Sequence, residues 1–168
     1  SSVVVLSHRT LAAELGQLEP WFDRNGFRVH RIFREDGPGL PDAALLVVLG
    51  SPNSVAEGYR ETPADGEIAM VGEWLERDRP FLGVCFGAQV LASVLGGTVQ
   101  RMPETYRAYT AMTLADGAPN SLRGSWALWH EDAIVAPRDS TVLATVAHAD
   151  TVFVRGSAWG VQPHVEFT

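Results

Sequence analysis

Lysine is absent from this chain, and all of its basic residues are arginine. That absence excludes Schiff-base chemistry, a pyridoxal phosphate lysine and a P-loop lysine. Cysteine is nearly absent too. A single Cys85 cannot form an internal disulfide, so nothing requires an oxidising compartment. With His8, His30 and His148 scattered, a zinc site has little to stand on. No apolar run approaches the ~20 residues of a membrane span, so no membrane association is expected. The net charge of −7 comes without a basic stripe, which argues against nucleic-acid binding. The densest basic group, Arg24, Arg28, Arg31 and Arg34, reads as a solvated face, and His8 as a loop histidine. Nothing at the Ser1-Ser2-Val3 end looks like a leader, and a cytoplasmic location is expected.

What is present fits one domain over residues 1–168: hydrophobic residues make up 46% and charged residues 20%. Val3–Leu6 reads as a buried strand. Leu11, Leu15, Leu18 and Phe22 recur at helical spacing, with Thr10 as N-cap and a bend at Pro20. Phe27–Phe33 and the wholly apolar 44–49 read as strands, and Pro63–Arg77 as a helix burying Ile68, Val71, Trp74 and Leu75. Phe81–Val84 is another apolar strand, with a helix from Gln89 to Leu95 closed by Gly96-Gly97. Residues 98–158 read as shorter strands, clearest at Leu128-Trp129 and Thr151–Val154. This alternation predicts an α/β fold, a doubly wound, mostly parallel sheet with helices on both faces. Trp129, Trp159 and Tyr109 read as core or pocket wall.

Between the fourth strand and its helix lies Gly83-Val84-Cys85-Phe86-Gly87. Glycines two residues either side of a cysteine mark a nucleophile elbow, a strand-to-helix turn too tight for side chains on its flanks. The turn sets the sulfur at a helix N-terminus, where the dipole favours thiolate. Cys85 is therefore the candidate nucleophile. It needs a base and a group to orient that base. His164 and Glu166, following the apolar 159–162, supply both: an i, i+2 pair at a strand end projects to one side, so the carboxylate can fix the imidazole tautomer.

Together these residues resemble the class I (triad) glutamine amidotransferase family, most of all stand-alone relatives of the GMP synthase amidotransferase domain. Four pieces carry the resemblance in order across residues 45–166: Leu49-Gly50-Ser51-Pro52-Asn53-Ser54-Val55, the elbow through Gln89, Trp129-His130-Glu131-Asp132, and Gly160-Val161-Gln162-x-His164-x-Glu166. The resemblance implies the flavodoxin-like fold of that family. It makes Cys85, His164 and Glu166 catalytic. It places oxyanion donors at Gly50, Ser51 and Phe86, and substrate contacts at Gln89, His130, Glu131 and Asp132. Two departures stand out. Pro163 precedes the histidine and Val165 follows it, where the family places a phenylalanine before and a proline after, and Ser51 replaces a glycine. Relatives run well past the glutamate, so a C-terminal segment beyond Thr168 is expected.

The resemblance implies hydrolysis of the L-glutamine side-chain amide through a cysteinyl thioester, with ammonia handed to a partner synthetase or synthase. It implies no cofactor and no metal. Two alternatives stay open: a stand-alone hydrolase of other γ-glutamyl amides, and a non-catalytic regulatory or binding module on the same fold.

Overall fold

Successive residues of the first strand point to opposite faces of the sheet, and both faces are covered. Val4 and Leu6 join one buried cluster, Val3 and Val5 another, and all four are at most 4% exposed. A strand buried on both sides reads as a continuous apolar run, which is why Val3–Leu6 has no polar alternation. The computed structural model describes residues 1–56 and 63–167, with side chains of 63–65 left aside.

The elements run β1 (Ser2–Ser7), α1 (Leu18–Arg24), β2 (Arg28–Phe33), β3 (Leu45–Val48), α2 (Pro63–Glu76), β4 (Phe81–Val84) and α3 (Phe86–Val94). There follow β5 (Thr98–Ala111), β6 (Thr113–Leu114), β7 (Ser125–Val135), β8 (Thr141–Val146), β9 (Ala149–Arg155) and β10 (Ala158–Val161). The main sheet has the order β2-β1-β3-β4-β10-β9-β8-β6, parallel from β2 to β10 and antiparallel beyond. Trp74 and Val71 of α2 and Phe86, Val90 and Leu91 of α3 fill one face. Leu18 and Phe22 of α1 fill the other, joined by Leu128 of β7. This is a doubly wound α/β sheet.

Three local expectations differ from the structure. The first helix begins at Leu18, not after Thr10. Gly16 breaks the periodic run with φ 53°, and the Gln17 N–H turns away to donate to the Glu166 carbonyl at 2.8 Å. Pro20 is then the third residue of the helix, where a missing N–H costs no intrahelical bond. The elbow helix begins at Phe86, directly after Cys85, rather than at Gln89. Finally, β5 and β7 are 14 and 11 residues long, not short. They form a two-stranded ribbon whose register shifts between Arg101 and Tyr106, around Pro103, which hides the regular alternation.

Candidate active site

Five neighbouring parallel strands each deliver a residue at their carboxyl ends. His8 follows β1, Arg34 follows β2, Gly50 and Ser51 follow β3, Cys85 follows β4 and His164 follows β10. Parallel strands place all these ends on one edge, where open α/β sheets bind ligands.

At the elbow, Cys85 has φ 55° and ψ −106°, a conformation L-residues rarely adopt and one that stores about 1–3 kcal/mol. The glycines make it possible. A Cβ on Gly83 would run into the Gly87 backbone, and one on Gly87 into the Val48 carbonyl. The turn is tied by the Cys85 N–H donating to the Val161 carbonyl at 2.8 Å. Cys85 is 7% exposed, and its thiol lies 3.5 Å from the Trp129 carbonyl.

His164 sits in a turn after β10, not at a strand end, with its N–H bonded to the Ala127 carbonyl of β7 at 2.9 Å. Its Nδ1 lies 2.7 Å from Glu166 Oε1. A carboxylate can only accept, so Nδ1 donates, which leaves Nε2 as the nitrogen free to exchange a proton. Burial lowers the imidazole pKa, but the hydrogen bonds and charges of Cys85 and Glu166 outweigh it and push it up to about 10. The Pro163 and Val165 departures thus leave the pair in contact, through a turn closed by the Val165 N–H on the Pro163 carbonyl.

The β3 loop faces this pair. A Cβ on Gly50 would stand 3.6 Å from His164 Cε1 and 3.8 Å from Cys85 Cβ. Behind the loop lies Arg34, only 2% exposed, so the expected solvated arginine face holds for the exposed Arg24 and Arg28 but not for Arg34. Its guanidinium bonds Glu67 through Nε and the carbonyls of Leu49 and Gly50 through its two terminal nitrogens. Burial pushes the Glu67 carboxyl up against the opposing pull of Arg34. His8 is likewise no bystander. Its Nδ1 is 2.7 Å from Glu35 and its Nε2 2.8 Å from Ser51 Oγ, which also accepts from the Asn53 N–H at 3.1 Å.

The remaining candidates divide by the alternation of β7. His130 and Asp132 point inward and are 3% and 2% exposed. Glu131 points outward, paired with Arg101 at 3.0 Å and near Thr105, so it is removed from the pocket. The Trp129 side chain is also outward, 55% exposed under the Arg107 guanidinium, and Tyr109 is exposed on the same ribbon; neither is core. Asp132 accepts from Ser54 Oγ at 2.7 Å, and His130 Nε2 lies 3.0 Å from His148 Nε2. Burial, with the charges of His148 and His164, holds the His130 imidazole down to about 4. Asp132 Oδ1 and His130 Nδ1 are buried without a partner among the described residues. Gln89 is buried and 3.4 Å from Gln162, whose amide nitrogen lies 3.4 Å from the Cys85 sulfur. Sequence reasoning missed Gln162, Arg34 and His8 as site residues. Among the described residues no metal-ligand cluster occurs, and no helix is long and apolar enough to cross a membrane.

Known proteins share this arrangement of chain. The glutamine amidotransferase class-I family model matches residues 22–168. The glutamine-hydrolyzing GMP synthase of Aeropyrum pernix is 34% identical over 137 residues, covering 77% of this chain and 25% of that protein. The chain therefore spans about a quarter of the length of such synthases. A glutamine-hydrolyzing GMP synthase subunit from Halobacterium salinarum is 32% identical over 155 residues, covering 86% of this chain and 78% of that one. Among solved structures, a glutamine amidotransferase from Thermotoga maritima superposes with a TM-score of 0.85 at 28% identity, over 99% of this chain and 76% of its own. The chain belongs to the class I glutamine amidotransferase family.

Proposed function

We propose that this chain acts as one domain that hydrolyses the side-chain amide of L-glutamine and passes the ammonia to a partner synthetase or synthase in the cytoplasm. The observation that carries this is the His164–Glu166 contact, Nδ1 to Oε1 at 2.7 Å, set beside the Cys85 elbow: a Cβ on Gly50 would stand 3.6 Å from His164 Cε1 and 3.8 Å from Cys85 Cβ.

The Cys85 sulfur attacks the amide carbon, and the carbonyl oxygen becomes an oxyanion. Main-chain N–H groups of Gly50, Ser51 and Phe86 stabilise that charge, each worth ~10²–10³ in rate. His164, protonated and fixed by Glu166, gives its proton to the nitrogen as the carbon–nitrogen bond breaks and ammonia leaves. Water then attacks the thioester while His164 takes its proton, and glutamate departs as the thiolate returns. His130, Asp132 and Gln89 hold the amino-acid end of the substrate, while Gln162 fixes the sulfur. Asp132 Oδ1 suits the substrate ammonium, being a buried acceptor with no partner among the described residues.

Handing ammonia to a partner is supported by the Halobacterium relative, which is one subunit of a synthase. A donor misplaced by about 1 Å can cost ~10²-fold, so docking can gate the chemistry. The purified chain should release ammonia from glutamine slowly, and faster with its cognate synthetase or synthase. Release from γ-glutamyl amines in preference to glutamine, unaffected by any partner, would move the reading to a stand-alone hydrolase.

A further inference from the structure

The buried Arg34–Glu67 pair lies outside the catalytic trio, yet every bond it makes toward the site ends on the β3 loop. Arg34 Nη2 donates to the Leu49 carbonyl at 2.7 Å and Nη1 to the Gly50 carbonyl at 3.0 Å. In an extended strand, successive carbonyls point to opposite sides. Here two successive carbonyls converge on one guanidinium. A trans peptide is planar, so each C=O fixes its N–H in the opposite direction. The peptides concerned end in the N–H groups of Gly50 and Ser51. Both are thus turned away from Arg34, forming a concave pair of donors of the kind that binds anions. The face Gly50 leaves open is the one toward His164 and Cys85.

We infer that Arg34 is a positioning residue that aims the Gly50 and Ser51 N–H groups at the oxyanion, and that Glu67 holds Arg34 in place. This rests on the glutamine-hydrolysing reading above. Glu67 grips the guanidinium through Nε at 2.9 and 3.1 Å, and the guanidinium packs 5.0 Å from the Phe86 ring centre, next to the third donor. A planar fork can span two carbonyls and a carboxylate at once, whereas the ammonium of a lysine is a point charge on a flexible stem. Glu67 lies on α2, so the loop is tied to a helix and not only to its own strand.

The test exploits the single cysteine. Iodoacetamide alkylates a thiolate at a methylene carbon and forms no oxyanion, whereas glutamine turnover does. Removing one charge alone leaves the other buried and unpaired and can unfold the protein. The informative variant is therefore Arg34→Met with Glu67→Gln. Its kcat should fall by ~10²-fold or more with KM little changed, while Cys85 alkylation stays within about twofold of wild type. Undiminished turnover in the double variant, or turnover and alkylation falling together, would overturn the role given to Arg34. Wild-type protein that neither releases ammonia nor forms a glutamyl adduct would instead overturn the reading of the site, and Arg34's part with it.

Discussion

His164 Nδ1 stands 2.7 Å from Glu166 Oε1, and Glu166 is itself held from behind by the Gln17 N–H on its main-chain carbonyl. The His164–Glu166 pair is therefore anchored to a segment nearly 150 residues earlier in the chain, where Gly16 lies so close to Glu166 that a Cβ would run into its carbonyl oxygen.

Gly16→Ala should damage catalysis without touching a catalytic side chain. Its φ of 53° is strained for alanine, and the methyl must push Glu166 aside. A stability loss of about 1–3 kcal/mol is expected. A fall in kcat of ~10²-fold should accompany it, since ångström-scale misplacement costs that much. Urea denaturation and steady-state assays of one preparation check both, and unchanged kcat would remove the anchor from the account.

The combined contribution of His164 and His130 to stability should be greatest near pH 6.5. His164 is raised to about 10, so between 6.5 and 10 the native state keeps a proton that the unfolded chain has lost. Stability falls as pH rises through that window. His130 is lowered to about 4, so between 4 and 6.5 the unfolded chain binds a proton that the native state refuses, and stability rises with pH. Each limb has a limiting slope of about 1.4 kcal/mol per pH unit for one proton. Urea midpoints across pH 4–10 test this. Cys85→Ala should flatten the alkaline limb, and His130→Phe the acid one.

Ser51→Ala removes a hydroxyl that bonds His8 and accepts the Asn53 N–H. If main-chain donors do the work at this loop, the loss should be modest, about tenfold in kcat, through loosening of the loop. A loss as large as that of Cys85→Ser would give the hydroxyl a direct chemical part.

How much was legible in the sequence follows from the range of the forces involved. Gly83, Cys85 and Gly87 could be read because the elbow is a local steric problem. The covered parallel strands could be read because burial on both faces leaves an unbroken apolar run. Asp132 and Glu131 could have been separated by the alternation of a strand, had the short strand read at Leu128-Trp129 been carried to its full length, Ser125–Val135. The false helix start at Thr10 came from leucine spacing that Gly16 overrides. Arg34 was not legible because its meaning depends on Glu67, 33 residues away, and on carbonyls of a loop no side-chain pattern records. Nor does sequence show that His8 is carried to Ser51, since only the parallel alignment of β1 and β3 brings them together.

Gln162→Leu should keep the fold and lose activity. The amide lies 3.4 Å from the Cys85 sulfur and is backed by Gln89. Leucine fills the space but gives the sulfur no donor. A drop of about tenfold to a hundredfold in kcat is expected, with slower Cys85 alkylation because the thiolate loses a hydrogen bond. Alkylation at the wild-type rate would place Gln162 outside the chemistry.

The central claim is a covalent bond between Cys85 and the glutamyl group. Protein mixed with glutamine, quenched in acid within the first turnovers and digested, should yield the Cys85 peptide carrying a glutamyl thioester. The adduct should be absent from Cys85→Ser. Blocking the water step should enrich it, which makes His164→Asn with a more reactive γ-glutamyl thioester the companion sample. Ammonia released by the wild type with no adduct at Cys85 under any quench, and turnover surviving in Cys85→Ser, would contradict the account.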